Sequence, residues 1–153
     1  MKRVITPAVI TAFVLVALLI SGNASAFIID FKADKSEVVV GEKVNFNTEI
    51  DVEANDSAMK FFEFNINGPE NRYCKIGLNG CLIKKCKGVE VIKVNETDFE
   101  FGYGYGYGYG IKKTINYKIV LDTLSYKEGD YEIEFVIKSE DADFSKKVPL
   151  TIT

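Results

Sequence analysis

From Phe99 to Leu121 the chain keeps its aromatic and aliphatic residues on one parity for 23 residues. The odd positions read Phe99, Phe101, Tyr103, Tyr105, Tyr107, Tyr109, Ile111, Ile115, Tyr117, Ile119 and Leu121, and Lys113 is the one break. Alternation at period two is the pattern of a strand with one covered face. One straight strand of that length would reach about 75 Å, whereas a domain of this size has a radius of gyration of about 14 Å. The chain must therefore turn or bend within the glycine–tyrosine repeat that fills residues 102–110. An odd hairpin loop preserves parity across the turn and an even loop switches it. The preserved parity predicts an odd loop containing a left-handed glycine.

The same alternation governs most of the chain after residue 26. Lys43–Val52 sets Val44, Phe46, Ile50 and Val52 against Asn45, Asn47, Glu49 and Asp51. Tyr131–Lys138 repeats the pattern with Tyr131, Ile133, Phe135 and Ile137, and Met59–Ile66 with Phe62, Phe64 and Ile66. In the last segment Phe144, Val148, Leu150 and Ile152 share a parity, and Pro149 falls on the other. Proline has no N–H to give a neighbour, which predicts an edge strand or its end. Shorter candidate strands are Ile28–Ala33, Glu37–Val40, Tyr73–Ile76, Leu82–Cys86 and Val89–Val94. Turn signals separate them at Gly41-Glu42, Asn67-Gly68-Pro69, Asn79-Gly80, Gly88 and Glu128-Gly129-Asp130. No stretch sustains a helical period. Many short strands with regular turns predict an all-β sandwich or barrel.

Residues 1–26 read as a secretory signal peptide. Lys2 and Arg3 precede an apolar run from Val4 to Ile20, and Ala24-Ser25-Ala26 has the small-residue form of a cleavage site. The alternative is an uncleaved anchor, for which the run lies at the short limit of a spanning helix. The expected domain is then residues 27–153, long enough for one core. Without Lys2 and Arg3 it carries 17 basic against 22 acidic residues. That balance disfavours nucleic acid and anionic lipid as partners. Contact with a membrane is expected only through the N-terminal segment, if it is retained. The chain contains no histidine. This removes His-based triads and His-ligated zinc or haem, and with no Ser-x-x-Lys set in support, no catalytic residue and no cofactor are expected.

Two stretches resemble a known family. "SEVVVGEKVNFNTEI" is similar to the entry of prokaryotic surface Ig-like domains, the CARDB-like group included, with a short strand, the Gly41-Glu42 turn and a core strand from Val44. "LSYKEGDYEIEFVI" resembles the penultimate strand of such domains. The resemblance places Tyr131 at the start of that strand, as in a tyrosine corner. Ile133 stands where antibody domains carry a cysteine, and tryptophan is absent, so the likeness is to the bacterial, archaeal and fibronectin III-like end of the superfamily. It covers both ends of residues 27–153 but not 67–115. It implies an Ig-like antiparallel β-sandwich of about seven to nine strands at a cell surface, and it implies no ligand.

Cys74, Cys81 and Cys86 lie within thirteen residues. Their spacings match no zinc ribbon or finger, and no metal site is expected. Outside the cell a disulfide is favoured. A three-residue loop, Asn79-Gly80-Cys81, would set Leu78 opposite Leu82 and Cys74 opposite Cys86, leaving Cys81 as a free thiol. A two-residue loop would set Cys74 opposite Lys85, and a Cys74–Cys81 bridge is the other pairing considered. Asn55 and Asn95 begin N-x-[ST] triplets and are glycosylation candidates. The triplet at Asn23 falls within the signal segment. The acidic groups Asp51, Glu53, Asp56 and Glu140, Asp141, Asp143 lack a calcium-loop pattern and read as solvated loop charge.

The repeat has neither the glycine offsets of a dinucleotide loop nor the Gly-Lys-[Ser/Thr] of a P-loop. Three readings of it stay open: a hairpin whose inner tyrosines cap the core, an unselected repeat, and an aromatic ladder formed by Tyr103, Tyr105, Tyr107 and Tyr109 that binds a partner. Tyrosine offers large amphipathic contact area at little entropic cost, and bare glycines admit another backbone. The expected function is a secreted or cell-surface binding, adhesion or assembly module whose partner is a surface protein, a glycan or a second copy. A carbohydrate-binding module or accessory domain of a secreted system is the alternative; a secreted inhibitor or enzyme subunit is a third class without residues to support it. The first test is of the address: the intact mass of secreted protein should lack residues 1–26, and a mass that retains them, found only with membranes, replaces secretion by anchoring.

Overall fold

Residues 27–53, 58–101 and 110–153 are described by the structure, a computed structural model, with backbone alone at 97–101 and 110–112. The signal segment and Asn55 lie outside the described residues. The alternating segments pair into two sheets. The four-stranded sheet runs β1 (Ile28–Ala33), β3 (Lys43–Val52), β8 (Gly110–Asp122), β7 (Val89–Phe101). The six-stranded sheet runs β2 (Glu37–Val38), β10 (Asp143–Ile152), β9 (Gly129–Ser139), β4 (Met59–Asn67), β5 (Arg72–Ile76), β6 (Leu82–Lys84). All neighbours are antiparallel except β2 and β10, which are parallel. In immunoglobulin letters the sheets read A-B-E-D and A′-G-F-C-C′-C″, the variable-type order.

Among the described residues ten strands stand where about seven to nine were expected. The first two, both read as strands from the sequence, are divided by a bend. The Asp34 carboxylate accepts from Asn45 N at 2.9 Å and Nδ2 at 2.6 Å, which fixes the bend. Upstream, β1 stays on β3; downstream, β2 crosses to β10. Pairing covers only Glu37 and Val38 of the expected Glu37–Val40 strand. Pro149 meets the edge expectation in a specific way. The N–H groups of Thr151 and Thr153 donate to Ser36 and Val38, each at 2.9 Å. Pro149 shares their parity but lies outside the stretch that β2 covers, Thr151–Ile152, so β10 is uncovered on that side at Pro149 although β2 is the edge strand of the sheet.

The core is aromatic and joins the two sheets. Phe46 on β3 meets Phe64 on β4 with ring centroids 5.3 Å apart, Phe31 on β1 meets Phe135 on β9 at 5.8 Å, and Tyr117 on β8 meets Phe62 on β4 at 5.3 Å. All six rings are buried. Such pairs add to the free energy of apolar burial through edge-to-face and offset geometry. Ile133 is fully buried beside them, so the position that is cysteine in antibody domains is held here by packing alone.

Thr48 shares the inward parity of β3, between Phe46 and Ile50, and is 1% exposed. Its hydroxyl has no hydrogen-bond partner among the described residues. An unmet buried hydroxyl costs more than the bond would contribute. Thr48→Val should therefore raise the unfolding free energy by about 1 kcal/mol, read from the urea midpoint. A lower midpoint would mean that the hydroxyl has a partner.

Candidate functional site

The arm at the β7–β8 hairpin follows from unequal strand lengths. The last rung between β3 and β8 is Val52 with Lys113. Beyond it β7 and β8 continue alone through Phe99–Lys112, Glu100–Ile111 and Phe101–Gly110. At the root, the Glu96 carboxylate pairs with both Lys93 and Lys113. The Thr114 hydroxyl donates to Asp51 at 2.7 Å, tying the root to β3. Tyr103, Tyr105, Tyr107 and Tyr109 lie outside the described residues.

The turn, for which an odd loop was expected, lies outside the described residues. The last described rung pairs Phe101 with Gly110. Lower in the hairpin the register changes parity at a β-bulge between Lys93 and Asn95. Below the bulge Val91 opposes Ile119 and Lys93 opposes Tyr117; above it Asn95 opposes Asn116 and Thr97 opposes Thr114. An extra residue in one strand shifts the register by one. Asn95, the described glycosylation candidate, sits at this bulge, exposed, and its Oδ1 accepts from Glu96 N at 2.8 Å.

A second hairpin carries the cysteines. Cys74 on β5 is fully buried and forms a disulfide with Cys86, with Cα atoms 5.2 Å apart. Cys81 is a free, exposed cysteine. The register leading to this pairing differs from the expected three-residue loop. Gly77 N donates to Cys81 O at 2.8 Å, Ile76 opposes Leu82, and Lys75 opposes Lys84. The bulge between these rungs shifts the register by one, which sets Cys74 level with Lys85, and the bridge reaches Cys86 one residue further on, past the end of β6. The turn tightens further through Asn79, whose Oδ1 accepts from Cys81 N at 3.0 Å, and through Gly80 at φ 83°. A side chain at Gly80 would also come within 3.2 Å of Lys93 Cβ. The Tyr117 hydroxyl donates to Leu78 O, so this turn is fastened to the opposite sheet. Burial pushes the Tyr117 phenol up to about 12.

A shallow hollow of about 320 Å³ lies on the outer face of β4 and β5, where their hairpin turns. Glu63, Asn65, Asn67, Asn71, Arg72 and Tyr73 line it. Asn65 Nδ2 donates to Glu134 at 3.2 Å, and Asn71 Oδ1 accepts from Gly68 N at 3.1 Å. Arg72 is held by Glu70 at 2.6 Å, by the Ser125 carbonyl at 3.2 Å and by the Tyr126 ring, 4.7 Å to its centroid. The Arg72 hydrogen bond lowers the Glu70 carboxyl pKa, and the same bond raises that of Arg72. Nearby, Tyr131 is buried at the start of β9 and its hydroxyl donates to Lys127 O at 2.9 Å, four residues upstream. That is the geometry of a tyrosine corner.

The other outer face, on the four-stranded sheet, holds a groove of about 460 Å³. Asp30, Glu49, Asn116 and Asn95 cross it in one transverse row. Among the described residues no group of three or more His, Cys, Asp or Glu side chains could hold a metal ion. Asp143, from one of the acidic loop groups, pairs with Lys138 at 2.5 Å. Among the described residues no helix is long and apolar enough to cross a membrane.

No protein-family model and no curated protein matches the chain. Solved structures give remote likenesses. One is the sporulation control protein Spo0M of Bacillus subtilis, with TM-score 0.47 and 7% identity, covering 83% of this chain and 49% of that one. Another is a family 123 glycoside hydrolase of Clostridium perfringens, with TM-score 0.45 and 11% identity, covering 83% of this chain and 27% of that one. A third is a cohesin module from a Clostridium perfringens family 33 glycoside hydrolase, with TM-score 0.41 and 11% identity, covering 85% of this chain and 98% of that one. The chain thus spans about half the length of the first and about a quarter of the second. At TM-scores below 0.5 these likenesses do not bear on what the chain binds.

The disulfide can be checked by peptide mapping of the oxidised protein. It should join Cys74 to Cys86 and leave Cys81 as the one residue that reacts with a thiol probe, native or unfolded. A map placing Cys81 in an intramolecular bridge would contradict this pairing.

Proposed function

We propose that the protein is a non-catalytic binding or assembly module, secreted or displayed at the cell surface, that meets its partner through the β7–β8 arm. The observation that carries this reading is the run of rungs past Lys113, which outlasts β3 and joins the two-stranded arm to the Gly-Tyr repeat. Such an arm gives a partner two exposed backbone edges, and the repeat adds four tyrosines whose rings need little ordering to make contact. The disulfide supports an oxidising location. The lack of histidine removes His-based triads and His-ligated zinc or haem. The finer kinship, to CARDB-like and fibronectin III-like surface domains, rests on the two sequence stretches and is part of the proposal. The partner is a surface protein, a glycan or a second copy of the chain.

The double change Tyr105→Ser/Tyr107→Ser separates this reading from its rivals. A binding arm should keep its melting temperature and lose attachment to cells, glycans or itself, because aromatic anchors dominate contact energy. Tyrosines that cap the core should instead cost about 2 kcal/mol or more of stability. Wild-type melting together with wild-type binding would leave an unselected repeat.

A further inference from the structure

We infer that the hollow on β4 and β5 is a second binding site, independent of the arm, and that it takes a neutral saccharide. Its lining has the chemistry for one. Three amides, Asn65, Asn67 and Asn71, converge there with the Glu63 carboxylate. Each amide carries both donors and an acceptor, as each hydroxyl of a sugar does. Asn71 uses its oxygen on Gly68 N, which leaves its NH₂ for a ligand, and Asn65 uses its NH₂ on Glu134, which leaves its oxygen. Asn67 is exposed, and its side chain has no hydrogen-bond partner among the described residues. Asn65 lies directly opposite Tyr73 in register, so polar groups and an aromatic side chain adjoin across the two strands. Tyr73 is 47% exposed, which leaves ring surface for the C–H face of a sugar. Lys84 Nζ now rests over that ring at 3.3 Å, at the end of a flexible, exposed stem that a ligand can displace.

The charges decide against an ionic ligand. Arg72 is already neutralised by Glu70 and lies against Tyr126. Lys138 stands 3.6 Å from Glu63 but is shared with Asp143 at 2.5 Å. An anion would meet the Glu63 carboxylate and a cation the Arg72 guanidinium, and because each of these already has a counter-ion, Lys138 and Glu70, neither ligand would gain an unpaired charge in the lining. A ligand with hydroxyls and no net charge meets neither cost. A hollow open on one side, about 320 Å³ in volume, suits one or two sugar rings of a longer chain.

The test is titration of the oxidised protein with cellohexaose, chitohexaose, mannohexaose and xylohexaose, and with hexagalacturonate as the acidic comparison, followed by calorimetry and by amide NMR shifts. At least one neutral hexasaccharide should bind saturably and shift amides of β4 and β5. Tyr73→Ala and Asn67→Ala, both at exposed positions, should keep the wild-type melting temperature and each weaken that binding about tenfold or more, as contact residues do. Asn67→Asp, which keeps the side chain's size and removes its donors, should weaken it as well. Tyr105→Ser/Tyr107→Ser should leave saccharide binding unchanged, so failure of the arm proposal and failure of this one are told apart. The inference is overturned if no neutral hexasaccharide binds, if only hexagalacturonate binds, if the Tyr73 and Asn67 variants bind as wild type, or if the arm variant alone abolishes binding.

Discussion

Everything in this molecule depends on how two sheets are held face to face without a covalent bond between them. Antibody domains join their sheets by a disulfide packed against a tryptophan. Here rings do that work: Phe31, Phe46 and Tyr117 from one sheet lie among Phe62, Phe64 and Phe135 from the other. The contact is directional as well as apolar, so it sets the spacing and the slide of one sheet over the other. With that register fixed, β8 can run past β3, and the outer side of β4 and β5 can carry polar groups at no cost to the core.

The disulfide has a different task. Cys74 and Cys86 close one hairpin of the six-stranded sheet and staple its short last strand, whose three residues could hold little by themselves. The Tyr117 hydroxyl on Leu78 O then fastens the turn of this hairpin to the other sheet. The cysteine hairpin and the β7–β8 hairpin are thus secured differently. The cysteine hairpin is pinned at its tip, and the β7–β8 hairpin is pinned at its root by Glu96, Lys93, Lys113 and the Thr114–Asp51 bond.

Much of the fold was legible in the sequence for a simple reason: where one face of a strand is buried and the other wet, alternation records the register. Lys43–Val52 has the bounds read from its residues, and Gly129–Ser139 extends its reading by two residues before Tyr131 and one after Lys138. Tyr131 was legible through its turn, Glu128-Gly129-Asp130. What escaped depends on partners far along the chain. The bulge between Lys93 and Asn95 leaves no mark on the local pattern, so a parity argument drawn along the sequence carries no sign of the register shift it makes. The register of β5 and β6 differs because Asn79 bonds Cys81 N and tightens the turn; a bulge recovers one residue, and Cys86 meets Cys74 from beyond the end of β6. The amide hollow carries no motif: Asn65 and Tyr73 become neighbours only when two strands pair, and the one local hint is that Asn65 and Asn67 share the outward parity of β4.

The bend between β1 and β2 has a mechanical meaning. Because β2 lies parallel to β10, the early and late segments of the chain point the same way along their shared ladder. Tension drawn backward through β2 and forward through β10 pulls along the strands in opposite senses. The bonds Thr151 N to Ser36 O, Thr153 N to Val38 O and Val40 N to Thr153 O then bear the load together. An antiparallel pair pulled from one end would open a rung at a time. A domain tethered on one side and gripped on the other would for this reason resist by shear, with three hydrogen bonds failing as a set, while the aromatic interior behind them stays unloaded until they go.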